Sequence, residues 1–351
     1  MTPERVALRP GYAVARIVKG GWQLAGGHGA FDRAGAVADM ARFLDAGIDA
    51  YDCADIYTGV EEMIGDFIAG LRADRGAAAA EAVKVHTKLV PDLALLDSFA
   101  PADAAAIVDR SLRRLRIERL HLVQVYWWDL GRGRPFEVFA SLKALQAAGK
   151  IAHVGVTNFD TGAIQPLIDA GLDVASAQVQ YSLLDARPEG RFADWCAARD
   201  IGLICYGVLA GGFLTEQWLG RSDPGHAFEN RSLVKYRLII DEFGGWEAFQ
   251  TLLATLDRIA RKHGVTIGAV AARAMLDRPQ VACVILGART ARRLAETLAV
   301  FGLALDADDR AEIAAARAHA AGPAGPIFGL ESDREGRHGR IMKYNLNTGP
   351  A

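Results

Sequence analysis

The 351-residue sequence predicts an α/β fold: a single (β/α)8 TIM barrel with an N-terminal β-hairpin and long loops at its carboxyl-terminal face. Three observations carry that expectation. Short apolar runs alternate evenly with amphipathic stretches, the pattern of strands joined by crossover helices into a parallel sheet. No G-x-G-x-x-G stands between a strand and a helix, which argues against an open doubly wound sheet. Polar residues gather at the carboxyl ends of the expected strands, where barrels of this kind place their chemistry.

The elements follow in order. Residues 5–18 alternate polar and apolar about Arg9-Pro10-Gly11, which reads as a small hairpin leading into a first strand near 15–18. Further strands are expected near 49–52, 83–88, 120–126, 153–157, 175–180, 203–206 and 281–286. Helical periodicity lies between them at 36–46, 103–115, 138–147 and 193–199, and another helix begins near Trp246. The chain reads as one domain, 1–351, with its core at about 15–302. The stretch 207–245 begins Gly-rich and is long, which predicts a lid or loop. Residues 303–351 are expected to be an irregular extension, rich in Gly and Pro from Gly322 and placed to cross the barrel mouth. The alanine run 77–80 carries no evident meaning.

Composition narrows the function. Hydrophobic residues make up 51% of the chain, ample for a large core. Lys plus Arg number 40 against 42 Asp plus Glu, a net charge of -2, and no basic block interleaves with aromatics. Nucleic acid is therefore not an expected partner. Cys53, Cys196, Cys205 and Cys283 are scattered, with no C-x-x-C, and read as reduced thiols. No His, Cys and carboxylate cluster has ligand spacing, so no metal is expected. The amino terminus lacks the apolar core of a signal peptide and no apolar run is long enough to span a bilayer, so the expected location is cytoplasmic, without a membrane partner. Oligomeric state is not legible.

The chemistry concentrates in Tyr51-Asp52-Cys53-Ala54-Asp55-Ile56-Tyr57 and, on the next strand, Lys88. A phenol is a poor acid at neutral pH, but a nearby ammonium favours the phenolate, and Asp52 can hold Lys88 charged. The three together form a proton donor for a carbonyl oxygen. A plain ion pair at the barrel rim, and a Schiff-base lysine, are the alternatives. His86, two residues before Lys88, reads as a core histidine; His121 and His153 read as structural or surface residues, and Cys53 as a small buried hydrophobe.

These residues resemble the aldo-keto reductase superfamily over roughly 15–302. The 52–57 segment resembles the family motif D-T-A-x-x-Y, and Glu62, Ile64 and Gly65 continue it. The resemblance implies NADP(H)-dependent reduction of a small-molecule carbonyl substrate, with Asp52, Tyr57, Lys88 and a fourth residue as a catalytic tetrad and Tyr57 as general acid. That fourth residue is His in the family, within D-L-x-L-x-H-W; here Tyr126 stands there, followed by Trp127 and Trp128. A tyrosine hydroxyl can donate to the substrate oxygen, but it cannot take up a charge near pH 7 as imidazole does. Trp22, Tyr57, Tyr126 and Trp127 are expected to shape the substrate site.

Residues 149–159 resemble G-K-I-R-x-I-G-V-S-N-F. The resemblance assigns Thr157, Asn158 and Gln178 to the nicotinamide carboxamide, and Tyr206, with Gly207 and Leu209 after it, to the nicotinamide ring. Residues 285–290 resemble I-P-G-x-R-S, with Gly287, Arg289 and Thr290 in the turn and Arg293, Glu296 and Thr297 beyond it, placed around a phosphate and the adenine. Arginine suits bidentate phosphate contact, so NADP(H) is expected over NAD(H). Gly21 stands where the family often has Thr, beside Trp22, and both are counted with Asp52 among the cofactor residues. A nicotinamide-binding regulatory or sensor protein with little turnover is the alternative, suggested by Tyr126. A short-chain dehydrogenase is disfavoured, because no Tyr is followed four positions later by Lys.

Overall fold

A computed structural model describes residues 2–26, 29, 31–318, 320 and 322–347. Strands β1 (Arg5–Arg9) and β2 (Tyr12–Ala15) form the expected hairpin, antiparallel across the Pro10-Gly11 turn. The eight that follow are β3 (Ile17–Gly20), β4 (Ala50–Asp52), β5 (Lys84–Leu89), β6 (Leu120–Val125), β7 (Ile151–Thr157), β8 (Val174–Gln180), β9 (Gly202–Tyr206) and β10 (Val281–Gly287). They close as a barrel in the order β10-β3-β4-β5-β6-β7-β8-β9, all pairs parallel. The fold is the expected (β/α)8 barrel. The first barrel strand lies two residues later than expected, because Ala15 is consumed by the hairpin.

Side chains alternate along each strand, which sorts the barrel wall into two environments. On β5, Val85 and Leu89 pack into the outer core against the helices, and Thr87 Oγ1 donates to Glu61 Oε1 at 2.7 Å on the surrounding Val60–Arg75 helix. His86 and Lys88 therefore point inward. Leu8, Tyr12 and Val14 of the hairpin join Val18, Ala50, Leu122 and Ile204 in an apolar cluster that closes the amino-terminal end. Above it, the interior turns polar.

Two expectations about irregular segments are corrected. Within 207–245, Arg231–Phe243 is an α-helix, with Asn230 accepting from Ser232 N at its start and Tyr236, Ile239, Ile240 and Phe243 buried. Residues 303–351 contain a helix at Ala307–Ala318 and a short one at Gly329–Ser332. Ala307–Ala318 is half alanine, the strongest helix former. Its Asp309 accepts from Lys262 at 2.8 Å and pairs with His263 at 2.7 Å on the Gly245–His263 helix. The alanine run belongs to the helix Ala77–Glu81. The tail does reach the barrel mouth, as expected: Phe328, Ile341 and Met342 stand on its wall. Residues 348–351 lie outside the described residues.

Candidate active site

β4 ends on Asp52 and its neighbour β5 nearly ends on Lys88, so the strand ends deliver an acid and an amine to one point. Lys88 Nζ donates to Asp52 Oδ1 at 2.8 Å, Asp52 Oδ2 at 2.9 Å and Cys53 O at 2.9 Å. Both side chains are only 6% exposed. Burial alone would discharge an amine; here Asp52 more than reverses it, and Lys88 titrates above its ordinary value. Gln178 Nε2 adds a bond to Asp52 Oδ1 at 2.7 Å and another to Gln124 Oε1 at 3.2 Å. The carboxylate is thus held from two sides.

Tyr57 follows in the turn before the Val60–Arg75 helix. Its ring lies under Lys88 Nζ, 5.1 Å from the centroid, and 5.0 Å from the ring of Trp22. The expected acidification is corrected. Burial pushes the Tyr57 phenol up to about 12, and the pull of Lys88 offsets this only in part. The phenol is a proton holder at neutral pH.

Tyr126, one residue past β6, is buried and its hydroxyl makes no well-formed hydrogen bond, though the Asn158 amide lies nearby. Trp128 and Phe328 pack edge-on against its ring at centroid distances of 4.6 and 5.7 Å. Trp127 does not join the site. It packs outward against Phe99 and Phe139 and donates from Nε1 to Arg132 O at 3.2 Å. Adjacent residues leaving a strand face opposite ways, so Tyr126 inward places Trp127 outward and Trp128 at the mouth.

A cavity of about 600 Å³ opens over these groups. Its wall gathers Trp22, Asp52, Tyr57, Lys88, Tyr126, Thr157, Asn158, Gln178 and Tyr206, and also Gly207, Leu209, Gly287, Arg289 and Arg293. Asn158 adopts φ 60°, the left-handed region that Asn tolerates better than most residues, and its Oδ1 accepts from Tyr206 Oη at 3.0 Å. Four expected cofactor residues are not on the wall. Gly21 donates its N–H to Asp52 O at 2.8 Å, and a Cβ there would come within 2.7 Å of that oxygen, so it is a close backbone approach. Thr290 is exposed; Glu296 pairs with Arg293 at 3.7 Å, and Thr297 Oγ1 donates back to Arg293 O at 3.1 Å.

Sequence reasoning missed Gln124, Lys235, Tyr236 and Phe328. Gln124 had a signal, being a polar residue two positions before Tyr126 in an apolar strand and so on the same face. Lys235 and Tyr236 come from the helix read as loop, and Phe328 from the tail.

The chain matches the Aldo/keto reductase family over residues 16–318, and it belongs to that family. It is 27% identical to the aldo-keto reductase YhdN of Bacillus subtilis over 334 residues, 93% of this chain and 97% of that protein. It is 29% identical to flagellar radial spoke protein 5 of Chlamydomonas reinhardtii over 64% of this chain, a match spanning 49% of that protein's length. Among solved structures, a glycerol dehydrogenase from Gluconobacter oxydans superposes with TM-score 0.74 at 25% identity, covering 90% of this chain and 95% of that one. An aldo-keto reductase from Klebsiella pneumoniae in complex with NADPH shares the fold, with TM-score 0.68 and 23% identity over 93% and 98%.

The residues fit a nicotinamide cofactor. Thr157 Oγ1 and the Tyr126 hydroxyl are buried on the cavity wall without a well-formed hydrogen bond, capacity that a polar ligand would satisfy. Among the described residues, no helix is long and apolar enough to cross a membrane, and no cluster of potential metal ligands is found.

Proposed function

We propose that the protein reduces an aldehyde or ketone to an alcohol with NADPH, Tyr57 acting as general acid. When bound, NADPH would supply the hydride at its nicotinamide C4. Thr157, Asn158 and Gln178 would hold the carboxamide, Tyr206 would face the ring, and Arg289 and Arg293 would take the phosphates, favouring NADP(H) over NAD(H). Tyr57 Oη delivers its proton to the carbonyl oxygen as negative charge develops there, and the Lys88 ammonium stabilises the phenolate left behind. Asp52 keeps that ammonium charged. Tyr126 donates a hydrogen bond from its hydroxyl to the same oxygen and keeps its proton, the polarising role that a neutral phenol can fill.

The observation that carries this reading is the Lys88–Asp52 pair at 2.8 and 2.9 Å beside the Tyr57 ring, at the floor of a large cavity. A nicotinamide-binding sensor with little turnover is the second reading, favoured by Tyr126 and by a phenol held near pKa 12. NADPH oxidation against an aldehyde panel separates them. Tyr57→Phe should lower kcat by about 10²–10⁴-fold while NADPH still binds. Equal inactivity of the two proteins with tight NADPH binding would favour the sensor.

A further inference from the structure

The cavity carries positive charge that the catalytic tetrad does not use. Besides the paired Lys88 and Asp52, the cavity is lined by Arg231, Lys235, Arg289, Arg293 and Lys343, with no second carboxylate among the described lining residues. Arg289 and Arg293 lie on the turn after β10. Arg231 and Lys235 lie one helical turn apart at the start of the Arg231–Phe243 helix.

That helix is anchored at the reacting end. Trp22 Nε1 donates to Ser232 Oγ at 3.0 Å, and the same Trp22 ring lies 5.0 Å from Tyr57. Lys235 Nζ stands over the ring of Tyr206 at 5.0 Å, and Tyr126 and Phe328 line the same cavity. Its closest carboxylate oxygen is Glu331 Oε1, at 3.9 Å and beyond hydrogen-bond range. Both Glu331 oxygens are already taken by Arg187, at 2.9 and 3.1 Å. The Lys235 side chain is 16% exposed, and burial lowers its ammonium's pKa against a partial opposing pull from Glu331. Arg231 makes no ion pair among the described residues, and burial depresses it too. A buried lysine without a hydrogen-bonded carboxylate and a half-buried arginine thus line the same cavity as Tyr57 and Tyr126.

We infer that this pair of cations is an anion-binding subsite and that the carbonyl substrate carries a carboxylate, held by Lys235 with Arg231 beside it. The inference rests on the reductase reading for the word substrate, and on the cation pair alone for the subsite. A carboxylate accepts hydrogen bonds from both side chains and replaces water that burial has stripped from Lys235. A neutral aldehyde leaves them unpaired.

The test uses the full chain with NADPH and two aldehydes of similar reactivity, 4-carboxybenzaldehyde and 4-methylbenzaldehyde. The wild type should favour the carboxylate by roughly tenfold in kcat/KM, the yield of one charge-assisted hydrogen bond. Lys235→Met should bring that ratio close to one, and Lys235→Arg should keep it. The Kd for NADPH, read by fluorescence, separates substrate from cofactor contact. A wild-type ratio near one, a ratio that survives Lys235→Met, or a loss confined to NADPH affinity would each overturn the inference. Should neither aldehyde be reduced, calorimetry of benzoate binding to the NADP-loaded protein decides. Binding that Lys235→Met abolishes keeps the subsite while the reductase reading falls; no binding removes both.

Discussion

His86 and Lys88 stand two residues apart on β5, point into the same barrel and are both buried, yet their charges are opposite in fate. Among the described residues, His86 has no carboxylate partner. Its Nε2 meets the Tyr12 hydroxyl at 2.8 Å, and burial, with His121, Lys88 and His153 adding to it, drives its pKa down to about 3. Lys88, one layer higher, suffers the same burial but gains Asp52, and its charge is held. Burial by itself discharges a base; a carboxylate at 2.8 Å reverses the outcome. The barrel is thus divided along its axis into a neutral floor closed by the hairpin and an ionised layer facing the cavity. Tyr57 obeys the same competition from the acid side: burial outweighs the ammonium and keeps the phenol protonated.

The comparison can be broken most forcefully at Lys88. Lys88→Met leaves Asp52 buried with Gln178 as its remaining side-chain donor, and should cost about 3–5 kcal/mol of stability in urea unfolding, along with activity. The double change Lys88→Met with Asp52→Asn should cost less than Lys88→Met alone, because no unpaired charge remains. A double variant as unstable as the sum of its parts would mean that the pair does not act as a unit.

On the floor the effect is smaller. His86→Leu removes a neutral ring and leaves the Tyr12 hydroxyl without its partner, at about 1–3 kcal/mol. Its acid behaviour sharpens the contrast. A histidine at about 3 when folded and near 6.5 when unfolded binds protons preferentially in the unfolded chain. The wild type should therefore lose stability as pH falls from about 6.5 toward 3, and His86→Leu should flatten that limb, measured as urea midpoints at pH 7 and pH 4.5. Lys88 works in the reverse sense: raised when folded, its contribution is intact below about pH 10 and fades only above.

The smallest expected effect is a flat line. With Tyr57 near 12, the kcat for carbonyl reduction should show no limb from this phenol between pH 6 and 9, and should fall only as alkaline pH removes its proton. A limb near neutrality in the wild type, absent from Tyr57→Phe, would mean that Lys88 wins over burial once cofactor and substrate are bound.

Much of the site was legible because it is written at strand ends. Asp52, Lys88, Thr157 and Gln178 each lie at or next to the end of a short apolar run, and a barrel gathers such positions at one mouth. Trp127 was misplaced because the two-residue period was not carried one step past the strand: with Tyr126 inward, its neighbour had to face the helices. Lys235 and Tyr236 were missed because a Gly-rich start hid a helix whose buried face is supplied by the rest of the chain. Phe328 was missed because its partner, Tyr126, lies 202 residues away in sequence.

The amino-acid order alone determined the alternation of strands and helices, the barrel it implies, and which acid, phenol and amine meet at its rim, since these follow from local periodicity. Only the tertiary structure decided the phenol's affinity for its proton, the helix at 231–243, and the lysine that it sets over Tyr206. Desolvation and long-range pairing depend on what surrounds a side chain in space, and no window of sequence contains that.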